Sequence, residues 1–129
     1  MKATRTLALA GAAVIAAVPL AALPAQAKDG DVIRTGPCSG ASDWKLKLSP
    51  ENGKIEAEFE VDSNRAGQSW RVRMVHNGDV VYRKVRVTQA PSGSFTARVV
   101  VPNAAGDDVV RGRATNLGSG EVCTGRATF

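Results

Sequence analysis

Apolar and polar residues alternate with a period of two through most of the chain after residue 44. This alternation places successive side chains on opposite faces of the backbone and predicts strands with one buried face. No segment of this region has the 3.6-residue period of an amphipathic helix. We therefore expect seven strands, separated by turn residues, that begin near Trp44, Ile55, Trp70, Val81, Phe95, Asp107 and Glu121.

The first two strands form the best-defined hairpin. If the loop from 49 to 54 joins them, Leu48 lies opposite Ile55, and Trp44 lies opposite Phe59. The same register places lysines opposite glutamates on the other face, and such opposed pairs stabilise a sheet by about 0.2–1 kcal/mol each. The expected charge pairs are Lys47 with Glu56 and Lys45 with Glu58.

A second hairpin is expected at Asn77-Gly78, since Asn-Gly is the preferred pair for a two-residue turn. This register places Met74 opposite Val81 and Trp70 opposite Val85. It also turns Arg83 toward the core beside Val72, a conflict that either a strand edge or a β-bulge would remove, so no register is predicted beyond Val81.

Seven short antiparallel strands in about 100 residues are typical of an immunoglobulin-like β-sandwich. A closed barrel is the second choice. Residues 29–37 form either a flexible lead-in or an extra edge strand. We expect one all-β domain over residues 28–129, after removal of a signal peptide over residues 1–27.

The signal peptide is predicted from a basic start, an apolar run over Leu7–Leu23 and the small-x-small pattern Ala25-Gln26-Ala27. The apolar run is too short and too rich in alanine for a membrane span, so the mature chain is expected to be secreted without membrane insertion. In an oxidising compartment, Cys38 and Cys123 are expected to form a structural disulfide.

Charge and composition narrow the classes of partner. The whole chain carries a formal net charge of +5, of which the signal peptide contributes Lys2 and Arg5. The mature chain is thus mildly basic and poor in aromatic residues, which argues against a nucleic-acid partner. An anionic polymer or an acidic protein surface is compatible with this charge.

Residues that could carry catalysis are few. His76 is the single histidine and is expected to be a solvated turn residue rather than a catalytic base. Glu56, Glu58 and Glu60 share a face but are expected to be solvated beside lysines. The acidic turns at 29–31 and 106–108 lack the ligand spacing of a calcium loop. No catalytic residue, metal site or cofactor is therefore predicted.

The strongest candidate for binding is the outer face of the second hairpin. Arginine on a rigid sheet can hold a phosphate or carboxylate in a forked geometry, and a tyrosine beside it could stack on a sugar ring. The alternative is a charged surface that keeps an exposed strand pair soluble. The expected residues of this face are Arg71, Arg73, Tyr82, Lys84 and Arg86.

Four stretches together resemble small exported proteins of actinobacteria: residues 39–53 (SGASDWKLKLSPENG), 91–95 (PSGSF), 113–116 (RATN) and 120–123 (GEVC). The resemblance covers nearly all of the mature chain. It implies an exported all-β domain with one disulfide, and it transfers no catalytic or binding residue.

The sequence thus favours a secreted, non-enzymatic binding or interaction module for an anionic partner. A small exported hydrolase inhibitor is the alternative, with 49–53, 77–78 and 118–120 as its candidate loops. A hydrolase is disfavoured, because no catalytic constellation is apparent.

Overall fold

A computed structural model describes residues 30–129, and the signal-peptide prediction lies outside the described residues. These residues form eight strands and, as the strand pattern predicted, no helix, so none that could cross a membrane. The strands are β1 (Val32–Pro37), β2 (Asp43–Glu51), β3 (Lys54–Asp62), β4 (Ser69–His76), β5 (Asp79–Val87), β6 (Ser94–Pro102), β7 (Val109–Asn116) and β8 (Val122–Thr128).

The strands form two antiparallel sheets of four, in the orders β1-β2-β3-β6 and β5-β4-β7-β8. Strands β2 to β8 are the seven predicted strands, and β1 is the extra edge strand that the sequence left open. In an immunoglobulin-like sandwich the neighbours are A-B-E in one sheet and C-F-G in the other. Strands β2-β3-β6 and β4-β7-β8 have these two neighbour orders, so the all-β fold with an immunoglobulin-like strand order is confirmed.

The alternating apolar residues of both sheets form one core. Trp70, Phe59 and Leu46 are among its largest fully buried side chains. Two aromatic pairs add to it, Trp44 with Phe59 and Trp70 with Phe95, each with ring centroids 6.3 Å apart. Separations of this size are within the range that stabilises aromatic pairs.

The disulfide between Cys38 and Cys123 joins the two sheets. Cys38 directly follows β1 of the first sheet, and Cys123 lies in β8 of the second. Because the cysteines are 85 positions apart, loop closure contributes about 4.6 kcal/mol under the chain-entropy model. The predicted bridge is confirmed, and it is compatible with an extracellular protein.

The register of the β2–β3 hairpin differs from the prediction by two residues. Leu48 lies opposite Ala57, and Trp44 lies opposite Val61. The prediction was wrong because the turn contains only Asn52 and Gly53, both with positive φ, as a type I′ turn requires. A shift of two residues keeps every side chain on its predicted face but changes its partner.

Charge pairing on that hairpin changes accordingly. Lys47 lies opposite Glu58, with 3.3 Å between Nζ and Oε2, and Lys45 lies opposite Glu60. The expected pairs of Lys47 with Glu56 and of Lys45 with Glu58 are therefore wrong. The outer face of the first sheet nevertheless carries opposite charges side by side, as the alternation predicted.

Candidate functional site

A β-bulge in β5 divides the binding face that the sequence predicted. Val75 lies opposite Val80, but Met74 lies opposite Tyr82, so Val81 has no partner on β4. One unpaired residue reverses the direction of every side chain beyond it. The prediction that five residues share one outer face is therefore wrong.

Tyr82, Lys84 and Arg86 lie on the core-facing side of β5, opposite Met74, Val72 and Trp70 of β4. Tyr82 is buried. The Lys84 ammonium lies 5.6 Å from the centre of the Tyr82 ring, and Arg86 donates a hydrogen bond of 3.2 Å to the Tyr82 hydroxyl. Tyr82 is thus held within the fold, where it cannot stack on a ligand at the outer face.

Arg71 and Arg73 do point outward, and four more arginines join them. In register, Arg73 lies directly opposite Arg83 on one side and Arg113 on the other. Arg111 lies opposite Arg126 in the neighbouring row. We call this surface the arginine face; its six arginines, all exposed, are Arg71, Arg73, Arg83, Arg111, Arg113 and Arg126.

Within the part of the chain that the structure describes, no carboxylate forms an ion pair with these arginines. The ion pairs within residues 30–129 involve Lys47, His76 and Arg98, and none involves the arginine face. The other outward positions on the four strands are valine, threonine or serine. The face therefore concentrates unpaired positive charge on a rigid, β-branched surface.

The outer face of the first sheet has the opposite character. Its central row runs Ile33, Lys47, Glu58 and Arg98 across the four strands, so that charges alternate in sign. Arg98 also bonds to Glu56. Because its charges are locally balanced, this sheet offers little attraction to an anion.

Glu56 is buried, contrary to the expectation of a solvated side chain. Burial alone would raise its pKa, but neighbouring groups, among them the Arg98 guanidinium that bonds to Glu56, outweigh burial and hold the pKa below the ordinary glutamate value. A general acid needs a raised pKa. The lowered pKa of Glu56 therefore argues against a role as a general acid.

The expectation of a solvated His76 is wrong. The side chain is buried, and its Nε2 lies 2.7 Å from Oδ1 of the fully buried Asp108. The same Asp108 oxygen accepts the backbone N–H of Ala104. Asp108 also exchanges two backbone hydrogen bonds with Phe129. The pair thus fastens the loop before β7 to the end of β4 and to the C-terminal residue.

One segment of the sequence indicated the arginine face, but its meaning depends on the order of strands in the sheet. The triplet Arg111-Gly112-Arg113 blurs the apolar alternation, because glycine occupies the inward position between two outward arginines. Pairing of β7 with β4 then brings this triplet beside Arg71 and Arg73. A single sequence does not reveal that pairing.

Among residues 30–129, no cluster of three or more histidine, cysteine, aspartate or glutamate side chains could hold a metal ion. A shallow depression of about 340 Å³ opens at one end of the arginine face, lined in part by Val75, Val109, Arg111 and Arg126. Comparisons with family models, curated proteins and solved structures returned no match for the chain.

Proposed function

We propose that this chain is an exported, non-enzymatic binding module that holds an anionic partner on its arginine face. The observation that carries the proposal is the presence of six exposed arginines, without a carboxylate, on one open face of the second sheet. Export is supported by the predicted signal peptide and by the disulfide. The resemblance to exported actinobacterial proteins also supports export as part of this proposal.

Stability alone does not explain this arrangement. Like charges directly opposite each other on neighbouring strands destabilise a sheet, and Arg73 faces an arginine on both sides. The first sheet shows that the same fold accommodates alternating charges. A bound polyanion would remove the repulsion among the arginines and would gain their forked hydrogen bonds.

The test is retention of the mature domain on immobilised polyanions. The parent protein is expected to bind and to be released as salt screens the charges. Arg73→Ala with Arg113→Ala removes the centre of the arginine face and should lower the salt concentration of release.

The matched control is Lys54→Ala with Arg65→Ala, which removes the same net charge from exposed positions off the arginine face. This variant should be released close to the parent. Equal losses in both double variants would show that net charge, rather than the arginine face, governs binding. No retention of the parent on any polyanion would refute the proposed function.

The alternative of a hydrolase inhibitor remains a prediction from the sequence. Its candidate loops at 49–53 and 77–78 are tight hairpin turns and the strand ends beside them. No feature of these turns favours inhibition over an ordinary strand connection.

A further inference from the structure

The arrangement of the arginines indicates the shape of the partner. Arg83, Arg73 and Arg113 occupy one row across β5, β4 and β7. Arg126 continues this line on β8, one row further along the strands, beside Arg111. We call Arg83, Arg73, Arg113 and Arg126 the arginine stripe; it crosses the sheet obliquely from one edge strand to the other.

The length of the stripe follows from sheet geometry. Three steps between neighbouring strands, at about 4.8 Å each, separate the two edge strands by about 14 Å. The additional row brings the distance between the Cα atoms of Arg83 and Arg126 to about 16 Å. Because both ends of the stripe lie on edge strands, nothing of the sheet lies beyond either end. This geometry suits an extended chain better than a compact ion.

The residue types on the face indicate the chemistry. The basic residues are all arginine, and the four lysines of residues 30–129 lie elsewhere. Arginine presents a planar fork that matches phosphate oxygens, whereas lysine acts as a point charge. The partner is therefore expected to present oxyanions that accept paired hydrogen bonds.

The arginine face lacks the residue types that recognise aromatic bases. These positions hold arginine, valine, threonine and serine, without an aromatic ring or a side-chain amide. Single-stranded nucleic acids are commonly held by stacking of bases on aromatic side chains, which this face does not offer. We therefore expect this face to recognise the negative charges of the partner rather than aromatic bases.

We infer that the arginine stripe binds an extended phosphodiester polymer whose repeating unit has no aromatic base, such as a polyol phosphate. The inference rests on the proposed function and adds the shape and charge chemistry of the partner. It assigns separate tasks to the arginines. Arg73 and Arg113 bind a ligand of any length, whereas Arg83 and Arg126 bind only a chain long enough to reach the edge strands.

The experiment measures affinity for synthetic oligo(glycerol phosphate) of increasing length by calorimetry at low salt. Affinity should rise with chain length until the ligand covers about 16 Å and should then level off. Arg83→Ala and Arg126→Ala should each weaken a long oligomer by about two- to fivefold and leave a dimer unchanged. Arg73→Ala should weaken both ligands. Circular dichroism would confirm that each variant is folded.

The outcomes separate this inference from the function on which it rests. Equal affinity for the dimer and the long oligomer would overturn the extended geometry, even if the parent is retained on polyanions. Tighter binding of a carboxylate polymer, oligogalacturonate, at equal charge would overturn the phosphodiester assignment. Tighter binding of oligothymidylate, a phosphodiester that carries aromatic bases, would overturn the exclusion of an aromatic base. Absence of binding to every one of these polyanions would overturn the proposed function itself.

Discussion

At the residue scale, two glycines let the sheets approach each other. Gly112 and Gly125 lie directly opposite each other on β7 and β8 and face the core. A Cβ on Gly112 would lie 2.8 Å from the Phe59 ring, and a Cβ on Gly125 would lie 2.7 Å from the Trp44 ring. The absence of a side chain at both positions therefore makes room for the two aromatic rings.

Gly125→Ala is expected to destabilise the fold by about 1–3 kcal/mol, because a methyl group would have to displace a ring in a packed core. Gly118→Ala is the matched control, since its Cβ would meet only Asn116 Oδ1 at 3.4 Å. Urea denaturation of both variants measures the difference. Equal stability of Gly125→Ala and the parent would show that Trp44 can move without cost.

Glu121 fastens the loop after the first disulfide cysteine. Its Oε2 accepts the backbone N–H groups of Gly40 and Ser42, each at 2.9 Å, and its Oε1 accepts the Ser42 hydroxyl at 2.7 Å. Burial alone would raise the pKa of Glu121, but these three hydrogen bonds outweigh it and lower the pKa. The ionised carboxylate is thus the form that stabilises the fold.

This direction predicts the pH dependence of stability. A glutamate in an unfolded chain has a pKa of about 4.3. The contribution of Glu121 to stability is therefore complete above that pH and is lost as the pH falls through the lower pKa of the folded state. Glu121→Gln is expected to cost about 1–2 kcal/mol at neutral pH, because an amide cannot accept all three bonds. The gap from the parent should narrow in acid.

Urea denaturation of Glu121→Gln at neutral and acidic pH tests this expectation. Glu60→Gln is the control, because the carboxyl of Glu60 accepts no hydrogen bond from the described residues. A deficit in Glu121→Gln that persists unchanged in acid would contradict the assigned role of the charge.

At the element scale, the sequence predicted which segments form strands but not every partner. Alternation predicted the buried face of β2, β3 and β4, because period two survives any shift by two residues. The register of β2–β3 is set by Asn52-Gly53, which forms a two-residue turn. From the sequence, such a turn was predicted at Asn77-Gly78, whereas the longer loop 49–54 was predicted for this hairpin. The sequence therefore predicted this hairpin but not its register.

The bulge explains why the binding face was predicted only in part. A bulge needs one residue without a partner on the neighbouring strand. Either Val80 or Val81 could have taken that place, because the two side chains are identical. The inward direction predicted for Arg83 was the one sign of it. Arg71 and Arg73 lie before the bulge on the partner strand and were placed correctly.

Neighbouring residues on β5 test the bulge through binding. Arg83 faces outward beside Arg73, whereas Lys84 lies on the side of Tyr82. Arg83→Ala should therefore lower the salt concentration at which the domain leaves a polyanion column, and Lys84→Ala should not. The two variants lose the same charge one residue apart, so a reversed result would contradict the register beyond Val81.

At the scale of the whole molecule, charge is divided between the two outer faces. The first sheet carries lysines and glutamates in neighbouring pairs, and the second carries only arginines as charged residues at its outward strand positions. The modest net charge calculated from the sequence conceals this division, because composition averages over both faces. Only the sheet order, which brings β7 and β8 beside β4, reveals it.

Concentration of like charge should oppose folding and favour binding at the same residue. Arg73 faces Arg83 and Arg113, so Arg73→Thr is expected to stabilise the free domain at low salt by about 0.2–1 kcal/mol. Threonine suits an exposed strand position, and the gain should shrink as salt screens the repulsion. The same change should weaken polyanion binding, as expected where a site retains destabilising residues for its function.

Lys45→Thr is the control for this trade between stability and binding, because Lys45 lies opposite Glu60. Its loss should bring no gain in stability at low salt and no loss of binding. Chemical denaturation at low and high salt, combined with column retention, measures both effects for each variant. If Arg73→Thr destabilised the domain at low salt, repulsion among the arginines would be too weak to set either its stability or its affinity.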